Sequence, residues 1–200
     1  VDRSGSMSGK KIEQAKEALK FVLNNLREGD LFNIIAYDNN VESFRPELQR
    51  LNDSTRSEAL GWAGGIYAGG STNISGALTT AMNMIQDAQR PSYIVFLTDG
   101  LPTAGETNEM KLAAMVQQSN VHRARLVSFG VGYDVNSRLL DRLSRDNSGL
   151  SEFVRPDEDI EQYVSRLYSS ISSPVMTDIK LTVEADIPSA ESTPLVNRVY

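Results

Sequence analysis

The chain has 200 residues, 40% hydrophobic and 23% charged, with a net charge of −6, no cysteine and a single histidine. That length and balance describe one globular domain with a sizeable core. They exclude disulfides, thiolate metal sites and a cysteine nucleophile, and the acidic charge without any Lys/Arg cluster argues against nucleic acid or an anionic membrane as partner. No apolar run reaches the ~18 residues of a transmembrane helix, so direct membrane insertion is not expected. His122 stands among charged residues near the end of a predicted helix. It reads as a surface residue, because a histidine-based metal site needs partners that are absent here.

In chain order, the opening Val1-Asp2-Arg3-Ser4-Gly5-Ser6-Met7-Ser8 places a carboxylate and two hydroxyls at alternate positions. From Gly9 to Glu28, Ile12, Ala15, Leu19, Val22, Leu23 and Leu26 recur at helical spacing, and Gly29-Asp30 supplies the stop. Leu31 to Tyr37 reads as one mostly buried strand, Asp38-Asn39-Asn40 as a turn, and Val41 to Phe44 as its hairpin partner at a sheet edge. Pro46 to Arg56 reads as a polar loop and Ser57 to Tyr67 as a short helix weakened by glycines. Gly69-Gly70-Ser71-Thr72-Asn73 is a glycine-rich loop feeding a helix from Ile74 to about Ala88. Tyr93 to Leu97 is a continuous apolar run, as in a strand covered on both faces, and it ends in Thr98-Asp99-Gly100. A helix over 108–120, a strand over 126–132, a helix over 136–145, a short strand over 152–154 and a helix over 157–172 follow.

Strand and helix alternate with short connections. This predicts an α/β fold with a doubly wound, mostly parallel central sheet, one antiparallel edge strand and helices on both faces. A domain over 1–173 is expected, with 174–200 a β-rich tail that begins or contacts a neighbouring module.

In such a sheet the functional crevice lies outside the carboxyl ends of the strands. Asp2, Ser4 and Ser6 lie on one loop at that edge, Thr72 on a second and Asp99 on a third. Together they offer two carboxylates and three hydroxyls, a donor set for a hard cation such as Mg²⁺, with Mn²⁺ or Ca²⁺ as alternatives. Each member has a plainer reading. The serines suit a turn bonded to its own backbone, Thr72 a helix N-cap, and Asp99 before Gly100 a turn residue. Their joint occurrence at one edge favours the metal.

Asp2-x-Ser4-x-Ser6, Gly70-Ser71-Thr72-Asn73-Ile74-Ser75-Gly76-Ala77-Leu78 and Phe96-Leu97-Thr98-Asp99-Gly100 together resemble the von Willebrand factor type A domain over about residues 1–172. More narrowly, Asp99-Gly100-Leu101-Pro102-Thr103, Ser128-Phe129-Gly130-Val131-Gly132 and Val154-Arg155-Pro156 resemble the A domain of inter-alpha-trypsin inhibitor heavy chains and bacterial proteins of that type. The resemblance implies a metal-ion-dependent adhesion site. Ser4, Ser6 and Thr72 would touch the cation, and Asp2 and Asp99 would bind it directly or through water. It further implies a partner protein supplying a Glu or Asp carboxylate as outer ligand, a larger multidomain protein around this domain, and an extracellular, cell-surface or periplasmic setting. Members of the family carry a buried hydrophobic strand immediately before the aspartate. Only Val1 stands there, so the chain is expected to be part of something longer.

Two other readings compete. One is a scaffold domain with an idle metal site. The other is a Mg²⁺-dependent hydrolase with Asp2 as nucleophile, ranked last. Position 4 is serine where such enzymes place a second carboxylate, Lys10 and Lys11 read as solvated charges on the first helix, and neither a Ser-His-Asp set nor a phosphate-cradling loop is present. No enzymatic activity is expected.

Overall fold

The computed structural model of the chain describes residues 1–172. A 3-10 turn, Gly5–Met7, leads into helix α1, Lys10–Asn25. Ile12, Ala15, Leu19 and Leu23 are buried along one side of α1, as the 3.6-residue period requires. The helix ends at Asn25 rather than Glu28, because Leu26 already turns to extended backbone.

Leu31 to Tyr37 is not one strand. It divides into β1, Leu31–Phe32, and β2, Ile35–Tyr37. β2 forms an antiparallel hairpin with β3, Val41–Ser43, whereas β1 pairs antiparallel with β4, Gln49–Arg50. Asn33 makes the division. Its side-chain oxygen accepts from the N–H groups of Ile34 and Arg45, and its amide donates to the carbonyls of Arg45 and Glu47. Helix α2, Asp53–Gly64, starts earlier than Ser57 because Asn52 and Thr55 cap it reciprocally, each side chain taking the other's backbone N–H at 2.9 Å.

The remaining elements follow the expected order. They are α3 (Ile74–Met84), β5 (Tyr93–Thr98), α4 (Glu109–Ser119), β6 (Arg125–Val131), α5 (Ser137–Asp146), β7 (Ser151–Val154) and α6 (Ile160–Ser172). Residues 174–200, where the β-rich tail is expected, lie outside the described residues.

β5, β6 and β7 form a parallel sheet. Val1 to Arg3 joins it to the β2–β3 hairpin. The Asp2 N–H donates to the Leu97 carbonyl at 2.8 Å, Tyr37 N–H to Val1 at 3.0 Å, and Arg3 N–H to Tyr37 at 2.8 Å. Asp2 bridges Tyr37 in parallel sense. The spatial order is therefore β3, β2, residues 1–3, β5, β6, β7, with β3 as the antiparallel edge. This is the doubly wound arrangement read from the sequence. A groove of about 580 Å³ lies between β2 and β5, lined by Ile34, Ile35, Leu78, Val95 and Leu97 among others.

The sheet buries both faces. Phe96 and Leu126 pack with α3, α4 and α5, and Leu97, Val127 and Phe129 pack with α1 and α6. Each large side chain so buried contributes roughly 1.5–3 kcal/mol. Met7, Phe32, Phe44 and Leu51 close a third cluster between α1 and α2.

Candidate metal centre

From residues 1–3 the chain crosses to β2 by way of α1 on one face. From β5 it crosses to β6 by way of α4 on the other face. The loops leaving Asp2 and Thr98 therefore diverge, and a crevice opens between them at the switch point of the sheet.

Asp2 lies at the floor of this crevice with 0% exposure. Its Oδ1 accepts the Ser4 N–H at 2.8 Å, and its Oδ2 accepts the Thr98 hydroxyl at 2.6 Å. The Ser4 hydroxyl lies 3.1 Å from that of Ser6. Ser6, on the exposed lip, donates to Asp99 Oδ1 at 2.8 Å. The second oxygen of Asp99 accepts the Lys11 ammonium at 2.6 Å, with the Asp99 side chain 2% exposed and that of Lys11 24% exposed. Four of the five residues singled out from the sequence are thus joined in one hydrogen-bonded cluster.

Thr72 arrives by backbone ties. Gly69 N–H donates to the Arg3 carbonyl at 2.8 Å, and Gly5 N–H to the Gly70 carbonyl at 2.9 Å. Gly70 has φ +80° and a Cβ there would lie 2.5 Å from the Asn39 side-chain oxygen, so this turn needs glycine. The Thr72 carbonyl accepts the N–H groups of Thr103 and Ala104, and its own N–H donates to the Thr103 hydroxyl. Thr72 does not cap α3. Asn73 does, accepting the Gly76 N–H at 3.0 Å. The Thr72 side chain is buried and its hydroxyl makes no hydrogen bond among the described residues.

Burial pushes the Asp2 pKa up and the Asp99 charge adds to that, while the hydrogen bonds from Thr98 and Ser4 pull it down. The Tyr37 hydroxyl is fully buried and has no hydrogen-bond partner of normal geometry. Burial, then the nearby Asp2 charge, raises its pKa well above the ordinary value.

Three participants were not read from the sequence. Lys11 is not a solvated charge, since it pairs with Asp99. Thr98 anchors Asp2, and the only signal was its place just before Asp99 at a strand end. Arg3 holds the loop to the hairpin through Asp38 at 3.1 Å and Glu42 at 2.6 Å.

The donor set is oxygen throughout, with two carboxylates and neutral hydroxyls. Among the described residues no three His, Cys, Asp or Glu side chains converge on a metal position, so any cation here would depend on the hydroxyls. The unbonded Thr72 hydroxyl and the hydroxyl contact between Ser4 and Ser6 leave lone pairs free for a hard divalent cation, which these residues fit.

Fold and crevice together define a domain of the von Willebrand factor type A class, and the profile of that family, described as "von Willebrand factor type A domain", matches residues 1–153. The chain belongs to this family. Within it, inter-alpha-trypsin inhibitor heavy chain H4 of Homo sapiens is 35% identical over 187 residues, covering 90% of this chain and 20% of that protein. Heavy chain H2 of Mus musculus is 31% identical over 188 residues, with 90% and 20% covered. The chain spans about a fifth of the length of these curated relatives. Among solved structures, the von Willebrand factor type A protein from Catenulispora acidiphila superposes with a TM-score of 0.71 at 24% identity, over 82% of this chain and 40% of that one. Proximal thread matrix protein 1 from the mussel byssus, described with a zinc-occupied MIDAS motif, superposes with a TM-score of 0.59 at 17% identity, over 85% and 45%.

Proposed function

We propose that this domain is a metal-ion-dependent protein-binding module. Asp2, Ser4, Ser6, Thr72 and Asp99 would hold a divalent cation, Mg²⁺ first and Mn²⁺ or Ca²⁺ as alternatives. The observation that carries the reading is the convergence of two nearly buried carboxylates with the Ser4 and Ser6 hydroxyls at one sheet edge. A bound cation would supply a positive charge that the neutral hydroxyls do not quench. An acidic side chain of a partner protein is the natural outer ligand for it.

The rim supports a protein partner. Tyr67, Leu101 and Tyr133, on loops that leave the same edge, are 73%, 57% and 72% exposed. Aromatic and aliphatic side chains around a charged anchor are the composition of a recognition surface. The setting proposed is extracellular, cell-surface or periplasmic, within a larger multidomain protein. No helix among the described residues is long and apolar enough to cross a membrane.

Binding is preferred to hydrolysis because Asp2 has no exposure. A buried carboxylate with one hydrogen bond on each oxygen keeps lone pairs for a small cation, whereas a nucleophile must be open to a substrate.

Isothermal titration with Mg²⁺ or Mn²⁺ tests the proposal. The domain is expected to bind one ion. Thr72→Ala removes a hydroxyl with no other bond to serve, and it is expected to abolish binding while circular dichroism stays native. Asp2→Ala is expected to do the same at some cost in stability. Unchanged affinity in both variants would exclude the assignment. Metal binding with no EDTA-sensitive capture of any protein partner would favour the idle scaffold instead.

A further inference from the structure

We infer that Lys11 is a positioning residue of the metal centre, one that holds Asp99 away from direct coordination and keeps the cation loosely bound and electrophilic. The inference rests on the proposed function and deepens it.

Both oxygens of Asp99 are held. Its Oδ1 accepts the Ser6 hydroxyl at 2.8 Å and its Oδ2 accepts the Lys11 ammonium at 2.6 Å. Each oxygen keeps a second lone pair, but direct coordination would bring the cation up to the ammonium, so Lys11 disfavours an inward move of Asp99. The Lys11 contact is the stronger, because it joins opposite charges where the Asp99 side chain is 2% exposed.

The path of the lysine is also built into the fold. Lys11 rises from the first turn of α1 and its stem runs over Gly132, at the end of β6. A Cβ at Gly132 would lie 2.9 Å from Lys11 Cε. Lys10, the neighbouring residue, is exposed. The two adjacent lysines thus differ in role, one solvated and one drawn into the crevice.

Two effects follow from this placement. The ammonium repels a divalent cation bound beside Asp99, lowering its affinity. It also satisfies the Asp99 carboxylate, so less negative charge from this chain reaches the cation. More of the ion's charge is then left for an outside carboxylate. Lys11 would therefore weaken metal binding and strengthen the centre's demand for an anionic partner.

The test is titration of the folded domain with Mg²⁺ alone, comparing wild type, Lys11→Met, Lys11→Gln and Lys11→Arg. Lys11→Met removes the charge and the donor. It leaves Asp99 buried without its cation, so it is expected to lower the melting temperature without metal and to show a larger rise than wild type when Mg²⁺ is added. Lys11→Gln removes the charge but keeps an N–H donor, which guards against simple failure to fold. Both are expected to bind Mg²⁺ more tightly than wild type, by ~tenfold, and Lys11→Arg to keep the wild-type affinity. Affinity that is unchanged or weaker in both Lys11→Met and Lys11→Gln overturns the inference. In that case Lys11 serves stability alone, even if Thr72→Ala still shows the metal site to be real. Absence of Mg²⁺ and Mn²⁺ binding by the wild-type domain removes the proposed function and this inference together.

Discussion

A carboxylate without solvent exposure depends on donors from its own chain, and Asp2 receives them from Ser4 and Thr98. Thr98→Val keeps the shape of the side chain and deletes one donor, leaving a buried oxygen short of a partner. The expected loss is about 1–3 kcal/mol of stability in the absence of metal, read from urea unfolding. At this scale much of the centre was legible. Asp2, Ser4, Ser6 and Asp99 stand at strand ends, where topology alone says that loops converge. Lys11 was not legible, because it and Lys10 are the same residue type in adjacent positions. Only the location of Asp99 and the absence of a side chain at Gly132 decide which of them turns inward. Tyr37 was illegible for a related reason. A buried tyrosine at a strand end reads as core, and its ring does stack on Phe96 at 6.0 Å, while its unbonded hydroxyl is a matter of geometry.

Among the elements, β5 and β6 were read within a residue or two, because each is a short β-branched and aromatic-rich segment bounded by turn residues, too short for a buried helix. Helix ends were read less well. α1 and α3 stop short of the ends read for them, at Asn25 rather than Glu28 and at Met84 rather than Ala88. α2 starts before its apolar residues, at a reciprocal Asn52–Thr55 cap. Asn33 divides what looked like one strand by taking ladder positions with its own side chain, and a hydrophobicity pattern has no means to register that. The link from α5 to β7 shows how closely elements approach. A Cβ on Gly149 would lie 1.9 Å from the Leu126 carbonyl oxygen. Backbone cannot yield as a side-chain tip can. Gly149→Ala is therefore expected to cost at least about 2 kcal/mol by thermal or urea unfolding. A Gly61→Ala control, facing open space in the middle of α2, is expected to be neutral or stabilising.

For the whole molecule, the centre ties together segments that are far apart in sequence. The Asp2–Thr98, Ser6–Asp99 and Lys11–Asp99 contacts span 96, 93 and 88 residues. A cation bound there engages only the folded state. At a hundredfold excess over its dissociation constant it adds about 2.7 kcal/mol to stability. With contacts of such long range forming late, Mg²⁺ is expected to slow unfolding and leave the folding rate nearly unchanged in stopped-flow experiments, with EDTA reversing the effect. An equal acceleration of folding would place the centre in the folding nucleus instead. The same separation bears on how the domain is made. At ~5–20 residues per second, a ribosome that has just released Asp2 needs roughly 5 to 20 seconds to deliver Thr98, 96 residues further on. For the later part of that interval β2 has been synthesised and β5 is still incomplete, so one apolar edge of the future sheet stands open in the nascent chain. That window is when a chaperone would be needed most, and it closes with the arrival of the residue that anchors the buried carboxylate.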